Sequence, residues 1–171
     1  MRIERLDGSA AHDLRDGLAA VLHDCVEGGA SVSYMAPFSL DGARAHFEAI
    51  QPEIEAGRRV LLAAFAEDEL VGTVQVAGAW QPNQPHRADV AKLLVRPSAR
   101  NQGIGQLLME RAEAEARAEG WTLLVLDTVT GDAAERLYER MGWSKVGVIP
   151  NYALYPDGRQ CDTTVFWKAV D

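Results

Sequence analysis

The sequence contains few of the residues that build disulfide frameworks, metal centres and nucleic-acid interfaces. Only two cysteines, Cys25 and Cys161, occur in 171 residues, and neither lies in a CxxC or Cys/His spacing. We therefore expect two buried free thiols, no bound metal and no redox pair. The formal net charge is −8 and no local basic stripe offsets it. This charge disfavours a nucleic-acid partner, because phosphate backbones attract basic surfaces.

Long apolar runs are also absent. No stretch approaches the ~18 consecutive apolar residues that typify a membrane span. Residues 1–17 alternate charged with apolar side chains, unlike the continuous apolar segment of a signal peptide. We therefore expect a cytoplasmic protein with no membrane partner. The length and the apolar share of 47% suit one globular domain over residues 1–171.

The first third of the chain has helical periodicity. Apolar side chains recur every three or four residues between positions 9 and 25, which predicts one helix with Ser9 as its N-cap. Residues 40–57 predict a second helix, in which Pro52 forces a kink or a new start and Gly57 is the stop. The intervening loop contains a glycine pair, a proline and aromatic side chains that suit a pocket wall.

Strand patterns dominate the rest of the chain. Residues 58–68 and 69–80 predict two antiparallel strands joined by a short charged turn, and a third strand ends at Pro97. A helix follows to about Glu119, with Glu113 on its solvent face and Leu107 on its buried face. The continuous apolar run "WTLLVLDT" predicts a strand buried on both faces, and a short helix and two final strands complete a mixed α/β order.

The stretch "RPSARNQGIGQLLME", residues 96–110, places two glycines directly before the long helix. A helix N-terminus exposes about four unpaired N–H groups and partial positive charge, so it can bind a phosphate group. Gly103 and Gly105 let the main chain approach such a ligand, and Arg100 adds a cation. A simple turn with a helix cap explains the same glycines. A P-loop and a dinucleotide fingerprint are both excluded, because Gln106 and Leu108 replace the residues that those motifs require.

A longer motif that includes these two glycines is more specific than the glycines alone. It reads Leu93-x-Val95-x-Pro97-x-x-Arg100-x-x-Gly103-x-Gly105-x-x-Leu108, followed by Ala134-x-x-Leu137-Tyr138-x-x-x-Gly142-Trp143. This combination resembles the GCN5-related N-acetyltransferases (GNAT), and "GGASVSYM", "RADVAKLLV" and "YALYPDGRQCDTTVFWK" are similar to the tabtoxin-resistance-type branch. The resemblance implies a single-domain α/β fold whose mixed, mostly antiparallel central sheet contains a splayed parallel strand pair and is flanked by helices. It also implies acetyl-CoA as cosubstrate.

The resemblance assigns the cofactor-binding residues. It implies that the main chain of Leu93, Leu94 and Val95 follows the pantetheine arm. It implies that the phosphates of CoA lie on Arg100, Asn101, Gln102, Gly103, Ile104, Gly105 and Gln106. Many relatives have asparagine where this sequence has Gly131, so a side-chain contact to pantetheine is either missing or supplied by Asp132.

Three side chains are the candidates for acid–base chemistry. Tyr138, placed by the second motif, is the expected acid for the leaving thiolate, since a phenol has a pKa of about 10 and a thiol about 8.5. Asp89 and Asp127 are the expected bases or ammonium ligands. Strand alternation predicts that Asp89 shares a face with Leu93 and Val95, and that Lys92 lies on the opposite face as a solvated or salt-bridged residue.

The expected function is N-acetylation of a small polar amine, amino-acid-like or toxin-like, by direct transfer from acetyl-CoA. Two alternatives remain at this point: acetylation of a protein N-terminus or lysine, and non-catalytic binding of acyl-CoA. The partner is expected to be a small-molecule amine, and a homodimer is a further possibility. Loop residues available for the acceptor pocket are Tyr34, Trp80, Asn83, His86 and Tyr152.

Overall fold

A seven-stranded sheet forms the centre of the protein, whose computed structural model describes residues 1–171. The strands are β1 (Arg2–Leu6), β2 (Arg59–Ala66), β3 (Glu69–Gly78), β4 (Arg87–Val95), β5 (Leu123–Val129), β6 (Ser144–Leu154) and β7 (Gln160–Ala169). Their order in the sheet is β1-β2-β3-β4-β5-β7-β6, and only β4 and β5 are parallel neighbours. The expected mostly antiparallel sheet with one parallel pair is therefore confirmed.

Five α-helices cover the two faces of this sheet. They are α1 (Gly8–Asp13), α2 (Arg15–Glu27), α3 (Leu40–Glu55), α4 (Ile104–Ala118) and α5 (Ala133–Arg140). One core packs α2 and α3 against the sheet, and a second core packs α4 and α5 against its other face. A sheet with an apolar surface on both sides requires this three-layer arrangement. None of the helices has the length and apolar composition that crossing a lipid bilayer requires.

The N-terminal region differs from its prediction. Residues 2–6 form β1, which pairs with β2, although the sequence pattern indicated no strand there. The expected single helix over residues 9–25 is two helices that meet at Leu14. Asp7 is the N-cap in place of Ser9, and its carboxylate accepts a 2.8 Å hydrogen bond from the Ala10 amide. A cap earlier in the chain starts the helix earlier.

Helix α3 continues through Pro52, where a kink or new start was predicted. Pro52 lies in its last turn, so a single missing N–H donor does not end the helix. The chain leaves the helix as predicted at Gly57, which has φ 68°. A glycine adopts this left-handed conformation without the steric cost of a Cβ atom.

Two predictions of burial are wrong. Strand β5 is not buried on both faces, because Leu123 and Val125 remain partly exposed while Leu124 and Leu126 are buried. On α4, Glu113 is buried and Leu107 is 40% exposed. Glu113 accepts hydrogen bonds from Trp143 and Lys168, which compensate for the burial of its charge.

The parallel pair separates soon after it forms. Pairing between β4 and β5 covers only the register from Arg87↔Leu123 to Asp89↔Val125. Beyond it, β5 continues against β7 while β4 continues against β3. The two strands therefore diverge and leave an opening in the middle of the sheet.

Candidate active site

A cleft of about 640 Å³ occupies the opening between β4 and β5. Its walls come from the second half of β4, the end of β5, the start of α4 and one face of α5. The loop after α2 and the start of β7 close its remaining sides. One continuous space therefore runs from a helix N-terminus to the diverging strands.

The start of α4 has free main-chain donors. Gly103 is the N-cap and provides no side-chain cap, and the first N–H group bonded within the helix is that of Leu107. The N–H groups of the first three helical residues are thus available to an anion. Gly103 has φ 78°, and the space where its Cβ would lie holds no atom within 4 Å. This turn fits the phosphates of CoA, because its donors, its helix dipole and its open approach all favour an anion.

The expected cofactor-binding residues surround this space with one exception. Leu93, Leu94, Val95, Arg100, Asn101, Gly103, Ile104, Gly105 and Gln106 all line the cleft. Gln102 does not line it, so its predicted contact has no support from the cleft geometry. Arg100 is held beside β4 by a 3.2 Å hydrogen bond from its Nε to the carbonyl of Val95.

Gly131 lies in a tight turn. It has φ 86°, and its amide donates to a carboxylate oxygen of Glu135. The next residue, Asp132, lines the cleft, and burial raises the pKa of its carboxyl group. A pantetheine contact from Asp132 therefore remains a prediction that is compatible with its position in the cleft wall.

Tyr138 is buried among aromatic side chains and borders the cleft. It is only 5% exposed, and its ring centroid lies 5.9 Å from those of Trp143 and Phe166. Burial, with a smaller effect from the Asp127 charge, raises the pKa of this phenol above its ordinary value. The hydroxyl group consequently keeps its proton throughout the neutral pH range.

Asp127 lies on the opposite strand of the cleft, just past the last residue of β5 that pairs with β4. Its Oδ2 accepts a 2.8 Å hydrogen bond from the hydroxyl of Thr163 on β7. The side chain is exposed to the cleft and has no ion-pair partner within 4 Å. The structure therefore brings Asp127 and Tyr138 together.

Asp89 is not part of this arrangement. It pairs with Arg87 at 2.5 Å and does not line the cleft. The prediction that it shares a face with Leu93 and Val95 is wrong, because β4 contains a bulge. The register with β3 moves from Gln75↔Ala91 to Thr73↔Leu94, which inserts one extra residue and reverses the alternation.

The environment of Lys92 differs from its prediction. Leu93 and Val95 pack against the core under α4 and α5, whereas Lys92 reaches Ser33 on the other side of the sheet, so it lies opposite them as predicted. Its φ is 54°, and it borders the cleft. The ammonium group donates a 3.0 Å hydrogen bond to Ser33 Oγ. Burial and the Arg59 charge lower the pKa of Lys92, while Asp127 raises it. A lysine expected to be solvated or salt-bridged is therefore a half-buried residue of the cleft wall without a carboxylate partner.

Sequence reasoning also missed other cleft residues. No sequence pattern indicated Thr163, since only the folded sheet brings it beside Asp127. Arg140 borders the cleft and follows Leu137 by one helical turn, a spacing that could have identified it. Of the candidate pocket residues in loops, only Tyr152 lines the cleft, and Tyr34, Trp80, Asn83 and His86 do not.

The sequence matches the model of the acetyltransferase (GNAT) family over residues 30–143. This chain belongs to the GNAT family. The match spans the diverging strands, α4 and α5, which form most of the cleft. A GNAT relative, the L-methionine sulfoximine/L-methionine sulfone acetyltransferase of Pseudomonas paraeruginosa, is 29% identical over 157 residues, which cover 91% of this chain and 88% of the relative.

Solved structures of other acetyltransferases share the whole fold at low identity. The yncA protein of Salmonella typhimurium, solved with its cofactor acetyl-CoA, has a TM-score of 0.79 at 20% identity and covers 100% of this chain and 94% of its own. A ribosomal-protein-alanine N-acetyltransferase from Brucella melitensis has a TM-score of 0.81 at 20% identity, with 99% of both chains covered. Similarity of fold at this identity does not specify the acceptor, which must be argued from the cleft itself.

Proposed function

We propose that this protein transfers the acetyl group of acetyl-CoA directly to the amine of a small, polar, amino-acid-like acceptor. The observation that carries the proposal is the continuity of one cleft, which joins the anion-binding start of α4 to Asp127 and Tyr138. Similarity to an acetyltransferase of methionine derivatives over most of the chain supports an amino-acid-like acceptor.

Acetyl-CoA supplies an acetyl group that is activated as a thioester. The free N–H groups of Ile104, Gly105 and Gln106 would hold its phosphates, with Arg100 adding a positive charge. The diverging part of β4 would provide main-chain partners for the pantetheine arm. Binding at these two places directs the thioester toward the side of the cleft that carries Asp127 and Tyr138.

Asp127 and Tyr138 serve as the base and the acid for the two proton transfers that the reaction requires. A primary amine with a pKa near ~10 is an ammonium ion at neutral pH and must lose a proton before its nitrogen attacks the acetyl carbon. Asp127 binds the ammonium ion and takes up this proton, directly or through a water molecule. As the carbon–sulfur bond breaks, Tyr138 donates its proton to the departing sulfur atom.

The cysteines of the cleft do not favour a covalent enzyme intermediate. Cys25 and Cys161 both line the cleft, but they are only 1% and 6% exposed. Burial raises the pKa of the Cys25 thiol, and its Sγ donates a hydrogen bond to the carbonyl of Val95. A protonated, buried thiol is a poor nucleophile, which supports direct transfer.

The test is an acceptor screen that measures CoA release and product mass. L-methionine sulfone, L-methionine sulfoximine, a polyamine, a peptide with a free N-terminus and a lysine-containing peptide are compared at matched concentrations. We expect the two amino acids to have a kcat/KM at least roughly 100-fold above that of either peptide. Mass spectrometry of the enzyme with acetyl-CoA alone should reveal no acetylated cysteine.

Two outcomes would contradict this proposal. Preference for a peptide would assign the protein to N-terminal or lysine acetylation. Tight acetyl-CoA binding without acetylation of any amine would instead identify a non-catalytic acyl-CoA-binding module.

A further inference from the structure

Lys92 differs from the other two lysines of the chain in having no carboxylate partner. Lys145 pairs with Glu135 at 2.9 Å and Lys168 with Glu113 at 2.8 Å. The Lys92 ammonium group contacts only a hydroxyl, Ser33 Oγ at 3.0 Å, although the side chain is half-buried. Partly buried charges in proteins are usually paired with an opposite charge, so the ammonium group of Lys92 is available to bind an anion.

The backbone at this contact is in an unusual conformation on both sides. Lys92 has φ 54° and Ser33 has φ 82°, both in the region that favours glycine. Neither residue is a glycine or an asparagine, and the two lie 59 positions apart in sequence. Non-glycine residues in this conformation concentrate at functional sites, where the surrounding structure maintains them. Lys92 lies within the bulge of β4, and its side chain borders the cleft.

The residues behind Lys92 do not neutralise it. His46 lies nearby, and burial together with the charges of Lys92 and Arg59 lowers the pKa of its imidazole to about 4. His46 is therefore uncharged at neutral pH. Arg59 is already engaged, since its guanidinium donates to Glu53 and Gln75.

Asp127 faces the same cleft from the other strand. It is close enough to Lys92 to influence its pKa, yet the two charges are not within the 4 Å of a salt bridge. Each charge is instead held by a hydroxyl group, Ser33 for the cation and Thr163 for the anion. A ligand that carries an ammonium group and a carboxylate on the same carbon has the charges to interact with both.

We propose that Lys92 binds the α-carboxylate of the acceptor, so that the protein selects free α-amino acids over amines that lack this group. This inference rests on the proposed function and identifies its substrate class. The ammonium group of the amino acid lies at Asp127, on the Tyr138 side of the cleft, and the carboxylate lies at Lys92. The rest of the amino acid extends away from these two contacts.

The experiment compares L-methionine sulfone with its α-carboxamide, which keeps the amine and side chain but lacks the negative charge. The kcat/KM for both compounds and their calorimetric affinities for the protein–CoA complex are measured in the parent, Lys92→Met and Lys92→Arg. We expect the parent to prefer the acid by roughly 10–100-fold, the usual size of a charge-assisted contact. Lys92→Met should abolish this preference by weakening the acid alone, and Lys92→Arg should retain most of it.

Lys145→Met is the matched control, because it removes one lysine charge outside the cleft and should keep the preference of the parent. A parent that acetylates acid and amide equally well would overturn the carboxylate site and leave the proposed activity standing. A parent that binds the acid more tightly than the amide but acetylates neither would support the carboxylate site and overturn the activity. The comparison within the parent applies even if Lys92→Met does not fold.

Discussion

Asp127 accepts a 2.8 Å hydrogen bond from the hydroxyl of Thr163, and this contact holds the carboxylate where β5 has left β4. The position matters because Asp127 then faces the cleft with its other oxygen free. A strand that stayed paired with its parallel neighbour would have no cleft there. The acid–base site thus depends on the same divergence that makes room for the cofactor.

Replacing Asp127 with asparagine keeps the size of the side chain and removes its charge. We expect kcat to fall by roughly 100-fold or more, since general acid–base groups contribute about 10²–10⁴-fold. Acetyl-CoA affinity, measured by calorimetry, should change little, because Asp127 lies away from the start of α4. Full activity of Asp127→Asn at neutral pH would exclude the carboxylate as the base.

Asp89→Asn provides the matched comparison. The predicted catalytic role of Asp89 remains a prediction, and the ion pair with Arg87 outside the cleft argues against it. On that geometry we expect Asp89→Asn to retain activity within about threefold, as surface charge changes usually have small effects. A large loss of kcat in this variant, with normal stability, would return Asp89 to the catalytic group.

Substitution of Gly103 tests whether the turn before α4 binds the phosphates of acetyl-CoA. Gly103→Val places a branched side chain where the phosphates approach, and we expect acetyl-CoA affinity to fall roughly tenfold or more. Gly57→Val is the control, because Gly57 also has positive φ with no atom within 4 Å of its Cβ position, but lies outside the cleft. Both variants should lose similar stability from backbone strain. Equal acetyl-CoA affinity in the two variants, measured by calorimetry, would contradict phosphate binding at this turn.

The sequence predicted the fold and most of the cofactor cleft because both depend on local patterns. Two glycines before a helix can be identified from spacing alone, whereas the roles of Tyr138 and of the cofactor strand were implied by the resemblance to the GNAT family. The face of β4 on which Asp89 lies could not be predicted from spacing, since a bulge that inserts one residue reverses which side chains face the cleft. Lys92 lies within the same bulge and borders the cleft, where a solvated or salt-bridged residue was expected. Bulges depend on the partner strand, and a single strand pattern does not contain that information.

The burial of Glu113 also depends on residues distant in sequence, and it gives a stability prediction. Its helical position indicated solvent, yet Trp143 Nε1 and Lys168 Nζ donate to its carboxylate at 3.0 and 2.8 Å. Glu113→Ala leaves a partly buried ammonium group without its partner, so we expect a loss of about 2–4 kcal/mol in the free energy of unfolding. Urea titration measures this loss. Glu110→Ala, on the exposed face of the same helix, should cost no more than about 0.5 kcal/mol.

His46 makes stability depend on pH. Its Nε2 lies 3.0 Å from Gln75 Nε2, which can only donate a hydrogen bond. His46 Nε2 must therefore accept this bond, and the imidazole ring is neutral. Its pKa falls from 6.5 to about 4 on folding. Between these values the unfolded chain binds a proton that the folded protein does not, so stability decreases as pH falls through this window. Because the ring is partly exposed, we expect a loss on the order of 1–2 kcal/mol.

Urea titrations at pH 7 and pH 4.5 measure this effect against His46→Gln. The variant lacks the imidazole and should lose less stability than the parent between the two pH values. Identical losses in both proteins would assign the pH dependence to other groups.

Tyr138→Phe removes the hydroxyl proposed as the acid and keeps the aromatic ring that packs on Trp143 and Phe166. Stability and acetyl-CoA affinity should therefore change little, while kcat falls by about 10²–10⁴-fold. Because burial raises the pKa of Tyr138, the parent should keep the phenol protonated, and its rate should not decline near the ordinary phenol pKa of about 10 on account of this residue. The measurements are kcat from pH 6 to pH 10, thermal unfolding and calorimetry with acetyl-CoA. Activity of Tyr138→Phe within twofold of the parent across that range would leave Tyr138 as a packing residue, with the thiolate departing unassisted.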